Sequence, residues 1–309
     1  MPETLLKPVD RAEVTVLVDN YIDMFVPQAT PIEHRLPFDP NRTLLAEHGF
    51  SCLVRIFAGK HEHTILLDAG LSQGCLLHNA RQLGTDMHTV EAVVLSHGHF
   101  DHTGGLGEFF RGETHQTPLI AHPDAFLQRR MNGPKGTTDL PQPDAVALKK
   151  SGADIKMRSE PSALAAGHVL VTGEVERTTK FEKGFPGMEA FRDGRWEADP
   201  ISDDQALVIN VRDKGLVVIS GCAHAGIINT VECARKISGE GRVHAVMGGF
   251  HLTGPLFEPV IAPTVAAMKS LDPTYVVPMH CTGWNAINRF FAAMPGRCVL
   301  NTVGTTYEF

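Results

Sequence analysis

Residues 95–105 read Leu95-Ser96-His97-Gly98-His99-Phe100-Asp101-His102-Thr103-Gly104-Gly105. They follow the apolar run Glu91-Ala-Val-Val-Leu95, a buried-strand pattern, and lead into a glycine-bearing helix start. In extended or turning backbone, residues two apart point to the same side, so His97 and His99 converge on one ion. Asp101 and His102 follow closely enough to serve a second ion beside it. Three imidazoles and a carboxylate within six residues are more than solvated loop histidines account for. Nitrogen-rich donor sets of this kind favour zinc, with iron and manganese as alternatives.

The composition agrees with a metal or acid–base role. The 309-residue chain has 16 histidines, as many as its phenylalanines, and imidazole is the side chain for neutral-pH titration and for metal ligation. With 43% apolar and 20% charged residues the chain is globular. No apolar run reaches the roughly 18 residues that a membrane span needs. The N-terminal MPETLLKPVDRAEV has acids and prolines where a secretory signal has a basic start and an apolar run, so a cytoplasmic location is expected. A net charge of −7 argues against nucleic acid as a partner, since that affinity comes from phosphate contacts. The expected partner is a small anionic molecule, and oligomeric state is not legible. The six cysteines lack CxxC spacing, which indicates neither a disulfide framework nor a zinc ribbon.

Strand-like runs fall at 14–18, 52–58, 63–68, 91–95, 118–121, 206–211, 215–219, 243–247, 275–279 and 298–302. Helical spacing falls at 73–83, 123–130, 226–238, 258–270 and 284–294. The mixture of β-β and β-α-β order predicts an α/β protein with sheets covered by helices. Between 131 and 202 the pattern weakens, and an excursion with its own short elements, able to cover the active site, is expected within one domain spanning 1–309.

The H-G-H-F-D-H stretch resembles the H-x-H-x-D-H signature of the metallo-β-lactamase superfamily. Asp68, ending an earlier strand and followed by Ala69-Gly70, resembles that family's earlier strand-end aspartate. The resemblance implies a four-layer αβ/βα sandwich with a dinuclear metal site at one edge between the sheets. His280, after the run Tyr275–Met279 and before a helix, matches the superfamily's last ligand and is expected on the ion held by Asp101 and His102. The middle ligands depart from the pattern. Many relatives carry G-H-T-x-G-H and then a strand ending in a bridging Asp. Here the corresponding region is DDQALVI (203–209), and the next strand ends Ser-Gly-Cys222-Ala-His224. His224 is read as the third ligand of the ion held by His97 and His99, with Asp203 or Asp204 as the weaker choice. Cys222 falls near the place of the missing aspartate.

The stretches VTVLVDN (14–20), AEHGFSCL (46–53), TGEVERTTKFE (172–182), SGCAHAGI (220–227), GGFHL (248–252) and HCTG (280–283) resemble one group in particular. It includes the 7,8-dihydropterin-6-methyl-4-(β-D-ribofuranosyl)aminobenzene-5′-phosphate synthases of methanopterin biosynthesis.

Two zinc ions would lower the pKa of a bound water to about 7 and polarise a carbonyl or phosphoryl oxygen. Asp101 is read as ligand and catalytic group, and His251 as general acid or oxyanion donor. The segments at Thr103-Gly104-Gly105, Ala225-Gly226 and Thr282-Gly283 read as helix N-termini, which favour an anionic substrate. Candidate substrate contacts are His48, Thr282, Lys180 and Cys222, with Arg177 and Lys183 in the excursion beside Lys180. The leading reading is a dinuclear zinc hydrolase acting on a small anionic, phosphate-bearing molecule. The alternatives are a synthase-type transfer joining a pterin to an aminobenzene ribosyl phosphate, and a metal- or ligand-binding sensor without turnover. A redox di-iron site is disfavoured because relatives of that type replace the second histidine with Glu, and His99 is His.

Overall fold

The computed structural model describes residues 6–112 and 116–309. Eight strands form one sheet in the order β2 (Glu33–His34), β18 (Thr306–Glu308), β1 (Arg11–Val18), β3 (Ser51–Ala58), β4 (His61–Leu67), β5 (Ala92–Val94), β6 (Thr117–Ala121) and β9 (Ala153–Met157). Six form a second, in the order β10 (Ser162–Leu164), β11 (Val169–Val171), β14 (Ala206–Val211), β15 (Gly215–Ser220), β16 (Val243–Gly249) and β17 (Tyr275–Met279).

The period-two alternation of these strands builds the layers. In β3, Cys52, Val54 and Ile56 face the core between the sheets while Leu53 faces outward. In β14, Leu207, Ile209 and Val211 join that same core while Ala206 and Val208 face the other way. Helices cover both outer faces. Leu76 and Ala80 of α1 (Cys75–Gln82), Phe109 and Phe110 of α3 (Leu106–Gly112) and Leu148 of α4 (Ala145–Lys150) pack on the first sheet. Ile227 and Val231 of α5 (Ile227–Ser238), Ile261 and Met268 of α6 (Glu258–Leu271) and Phe290 of α7 (Trp284–Ala293) pack on the second. The result is the expected αβ/βα sandwich.

The structure revises three readings. Residues 123–130 are not a helix: a 3₁₀ turn, Pro123–Phe126, gives way to strand β7 (Arg129–Gly133). Residues 298–302 contribute a single bridge, Val276 to Cys298, and the terminal strand comes later, at β18, against β1. The stretch 131–202 is not one excursion. Its strands β9, β10 and β11 belong to the two main sheets, its helix α4 packs on the first, and β13 (Arg195–Ala198), β12 (Met188–Arg192), β7 and β8 (Gly136–Leu140) form a third sheet. The strands there are short: β7–β8, β12–β13 and β10–β11 are local pairs, and the pairings that place them, β7 with β12, β9 with β6 and β11 with β14, join segments distant in the chain.

Parallel pairing aligns the chain directions that create the site. β4 runs parallel to β5, and β15, β16 and β17 run parallel to one another, so their carboxyl ends lie on one edge. Ligand crevices form outside such strand ends. The chain must turn sharply there. Asp68, Ala223, His251 and His280 have positive φ of 57, 53, 43 and 50°, a conformation that non-glycine residues hold only where their surroundings impose it.

Candidate metal centre

Each metal-binding candidate comes from one of these strand ends. His97 and His99 leave β5, and Asp101 and His102 lie in the short helix α2 (Phe100–Thr103) that follows. Cys222 and His224 leave β15, His251 leaves β16 and His280 leaves β17. Gly98 between the two histidines is required by packing, because a Cβ there would drive into the Ala125 carbonyl.

The histidines are held from behind, with their other nitrogens directed inward. The His102 Nδ1–H donates to Asp68 Oδ2 at 2.7 Å. The His97 Nδ1–H donates to Ser96 Oγ at 3.0 Å, and that hydroxyl donates to Asp68 Oδ2 at 2.6 Å. The His280 Nδ1–H donates to Asn20 Oδ1 at 3.0 Å, and its backbone amide donates to Asp19 Oδ1 at 2.8 Å. In the neutral rings these bonds select the tautomer that leaves Nε2 with a free lone pair. His97 Nε2 and His280 Nε2 are buried with no hydrogen-bond partner.

The inward atoms fall into overlapping groups. Asp101, His102, Cys222 and His280 bring one donor atom each within 4.8 Å of one another, and so do His97, Cys222 and His224. His99 falls outside these groups, with its Nδ1 3.1 Å from His224 Nε2 and the two rings 4.7 Å apart. Asp101 Oδ2 is 3.3 Å from His280 Nε2, 3.8 Å from His102 Nε2 and 3.6 Å from His48 Nε2. A third group, Cys222, His251 and Cys281, adjoins the first two.

Burial of so many imidazoles has an electrostatic cost that cations of the protein cannot relieve. Burial and the neighbouring imidazoles push His97 and His224 well below their usual pKa. Burial together with the Arg129 charge brings His99 down to about 3. Burial opposes a charge on His102 as well, but the Asp68 and Asp101 carboxylates outweigh it and raise that imidazole to about 9. Asp101 is held well below the usual carboxylate range, because His102 and His280 overcome the effect of burial. Neutral imidazoles at His97, His99 and His224 near the ionised Asp101 suit divalent metal ligation, and His102, raised to about 9, would release its Nε2 proton on taking up an ion.

The remaining expected residues divide. His48 reaches Asp101 from the solvent side, and its ring lies 5.2 Å from that of His280. The His251 ring is 4.3 Å from that of His224, and its Nδ1 is unpartnered. Thr282 does not face a ligand: it is fully buried, donates to the Met279 carbonyl at 2.7 Å and accepts from the Phe250 amide at 3.0 Å. Asp203 is engaged on both oxygens, by the Gly98 amide at 2.7 Å and by Arg129 at 2.6 Å. Asp204 Oδ2 accepts from the Ala225 amide at 2.9 Å, and burial raises its carboxyl to about 7. Neither aspartate joins the donor groups. Lys180 is exposed and does not line the cavity beside His224, whereas Lys183 does.

That cavity has a volume of about 190 Å³ and is walled by Phe181, Leu252, Leu256 and Phe257 with His224 and His251. The 177–186 segment packs over it. Arg177 donates to the His224 carbonyl at 3.2 Å, and the Phe185 ring lies 4.8 Å from that of His251. Glu182 accepts from the Ile228 and Asn229 amides at 2.9 Å each. The N-terminus of α5, read from the sequence as a place for a substrate anion, is therefore capped by the protein's own carboxylate.

Sequence reading missed Ser96, Asn20 and Arg129 as supports, and Phe185 as a ring packed against His224 and His251. The first two adjoin residues already singled out, directly before His97 and at the end of VTVLVDN. Arg129 and Phe185 had no local signal, since their partners are distant in the chain.

Residues 63–166 match the family described as "Beta-lactamase superfamily domain". The 7,8-dihydropterin-6-methyl-4-(beta-D-ribofuranosyl)-aminobenzene-5'-phosphate synthase of Methanocaldococcus jannaschii is 32% identical over 257 residues, which cover 81% of this chain and 86% of the synthase. An uncharacterised protein of the same organism is 34% identical over 248 residues, covering 80% of this chain and 89% of that protein. A solved metal-dependent hydrolase of the beta-lactamase superfamily superposes with a TM-score of 0.75 at 26% identity, covering 96% of this chain and 99% of that structure. With the fold, the strand-end donors and a relative of this identity and coverage, the chain belongs to the beta-lactamase superfamily, in the family that contains the archaeal dihydropterin-aminobenzene phosphate synthase.

Proposed function

We propose that the protein is a metal-dependent hydrolase with a dinuclear zinc centre, acting on a small anionic, phosphate-bearing molecule. The observation that carries this reading is the set of inward-facing Nε2 atoms of His97, His102 and His280, each ring fixed from behind through Nδ1, beside the ionised Asp101. His97, His99 and His224 would hold one ion, and Asp101, His102 and His280 the other. Ions in such a site supply a water of pKa about 7 and polarise a phosphoryl or carbonyl oxygen. Asp101, accepting hydrogen bonds, orients the attacking water. His48 reaches Asp101 from solvent and would help to position that carboxylate. His251, beside the apolar cavity, is placed to give a proton to the leaving group. The cavity takes an apolar or aromatic portion of the substrate, and Lys183 at its rim takes the anionic group. Metal analysis of the purified protein, followed by rates on phosphodiester, lactone and pterin-type substrates, tests the reading. Protein without metal, or a doubly substituted His97→Ala, Asp101→Ala variant as active as wild type on every substrate, overturns it.

A second reading, synthase-type transfer, is favoured by the 32% identity to the archaeal synthase. The same donors would then promote departure of an anionic leaving group as an aminobenzene ribosyl phosphate attacks a dihydropterin methyl carbon. Incubation with these two partners and mass spectrometry of the product separates the readings: a coupled product supports transfer, and its absence beside hydrolytic turnover supports hydrolysis.

A further inference from the structure

We propose that the Cys222 thiolate is a metal donor common to both ions, in the place where many members of the superfamily carry a bridging aspartate. The assignment rests on the dinuclear reading above. Cys222 lies just past the end of β15 and is buried. Among the described residues it is the one side chain shared by the Asp101, His102, His280 group and the His97, His224 group. Its Sγ stands 3.2 Å from His102 Nε2. Two donors on one tetrahedral zinc, at bond lengths of roughly 2.3 Å for sulfur and 2.0 Å for nitrogen, stand about 3.5 Å apart.

The carboxylates that could take this place are otherwise engaged. Asp68 is bonded through Oδ1 to the Ser96 amide and through Oδ2 to Ser96 Oγ and His102. Asp203 is bonded to Gly98 and Arg129, and Asp204 lies outside the donor groups. Cys281 is the competing thiol. It joins only the adjoining group with His251, and its Sγ donates toward the Cys222 carbonyl at 3.7 Å.

A sulfur donor makes the centre softer than a carboxylate would, which favours zinc, cobalt or iron(II) over manganese or magnesium. Loading the thiol with a metal ion forms a metal–sulfur bond and releases the thiol proton to solvent.

The test uses the full chain, stripped by chelator and reloaded with cobalt(II). Sulfur-to-cobalt charge-transfer absorption in the near ultraviolet reports a thiolate ligand, and metal content per chain is measured in parallel. Wild type should bind two ions and show the band. The Cys281→Ser variant should keep both ions and the band. Cys222→Ser should lose the band and bind its second ion at least about tenfold more weakly. Cys222→Asp should bind two ions without the band and shift its preference toward manganese. Should neither Cys222 variant fold by circular dichroism, a band present in wild type and retained in Cys281→Ser carries the assignment. Two bound ions without a band in wild type, a band lost in Cys281→Ser and kept in Cys222→Ser, or wild-type affinity in Cys222→Ser each overturns it. Failure of wild type to bind any ion removes the dinuclear reading itself, a different outcome from two ions bound without sulfur.

Discussion

The Asp68 carboxylate accepts the Nδ1–H of His102 at 2.7 Å, and both side chains are wholly shielded from solvent. Asp68 also accepts from the Ser96 amide and hydroxyl, and the same hydroxyl accepts from His97. One carboxylate thereby sets the ring orientation of histidines assigned to two different ions. Asp68→Asn keeps the shape but replaces an acceptor oxygen with a donor. It should weaken metal retention by about 10- to 100-fold, the usual effect of losing a partner behind a ligating histidine. Competition with a chelator of known affinity measures it; unchanged retention would mean that Asp68 does not orient the ligands.

Arg129 ties the third sheet to the histidine loop. Its buried guanidinium donates to Asp199 at 2.6 Å and to Asp203 at 2.6 Å, and Asp203 receives the Gly98 amide. Arg129→Met leaves two buried carboxylates without their cation, a change that typically costs about 3–5 kcal/mol. Urea unfolding of the chelated protein should register that loss. The metal-loaded protein should in addition lose occupancy at the His97 and His99 ion first.

His244 gives a pH dependence away from the metal centre. Burial pushes its imidazole down to about 4, and its ring sits against Tyr275 and Phe309. The unfolded chain, with an ordinary imidazole near 6.5, therefore takes a proton that the folded chain refuses between those values. Stability drops as pH falls from 6.5 toward 4 and this contribution is flat outside that window. His244→Phe should show a shallower decline over the same range in denaturant titrations. Parallel curves for the two proteins would mean that His244 charges freely in the fold.

Lys180 and Lys183 separate charge at the cavity from charge in its neighbourhood. Lys183 lines the cavity beside His224 and Lys180 does not. For a phosphate-bearing substrate, Lys183→Met should raise KM by about three- to tenfold with little change in kcat, in line with loss of one partly solvated charged contact. Lys180→Met should leave both constants near wild type. Equal effects of the two substitutions would place the anion elsewhere.

Cys222 and the aspartates 203 and 204 show where local reading stops. The sequence offers Asp203 or Asp204 as an alternative to His224, and Cys222 near the place of the missing aspartate. Both oxygens of Asp203 turn out to be occupied by Arg129 and the Gly98 amide, from segments 74 and 105 residues away. No local pattern announces such partners. Lys180 and Thr282 show the same limit: a residue near a motif in sequence can lie outside the cavity or spend its hydroxyl on the backbone.

The strands that end at the candidate centre, and the nearness of His97, His99, Asp101 and His102 in the chain, were legible in the sequence, because strand periodicity and residue spacing are local properties written in consecutive residues. Tertiary structure alone decided that 131–202 divides between three sheets, that the last strand is β18, and that Glu182 rather than a substrate caps α5. It also decided that the Cys222 sulfur lies between the two donor groups. These depend on pairing between segments distant in the chain, where the partner's position, and not the residue's own propensity, selects the outcome.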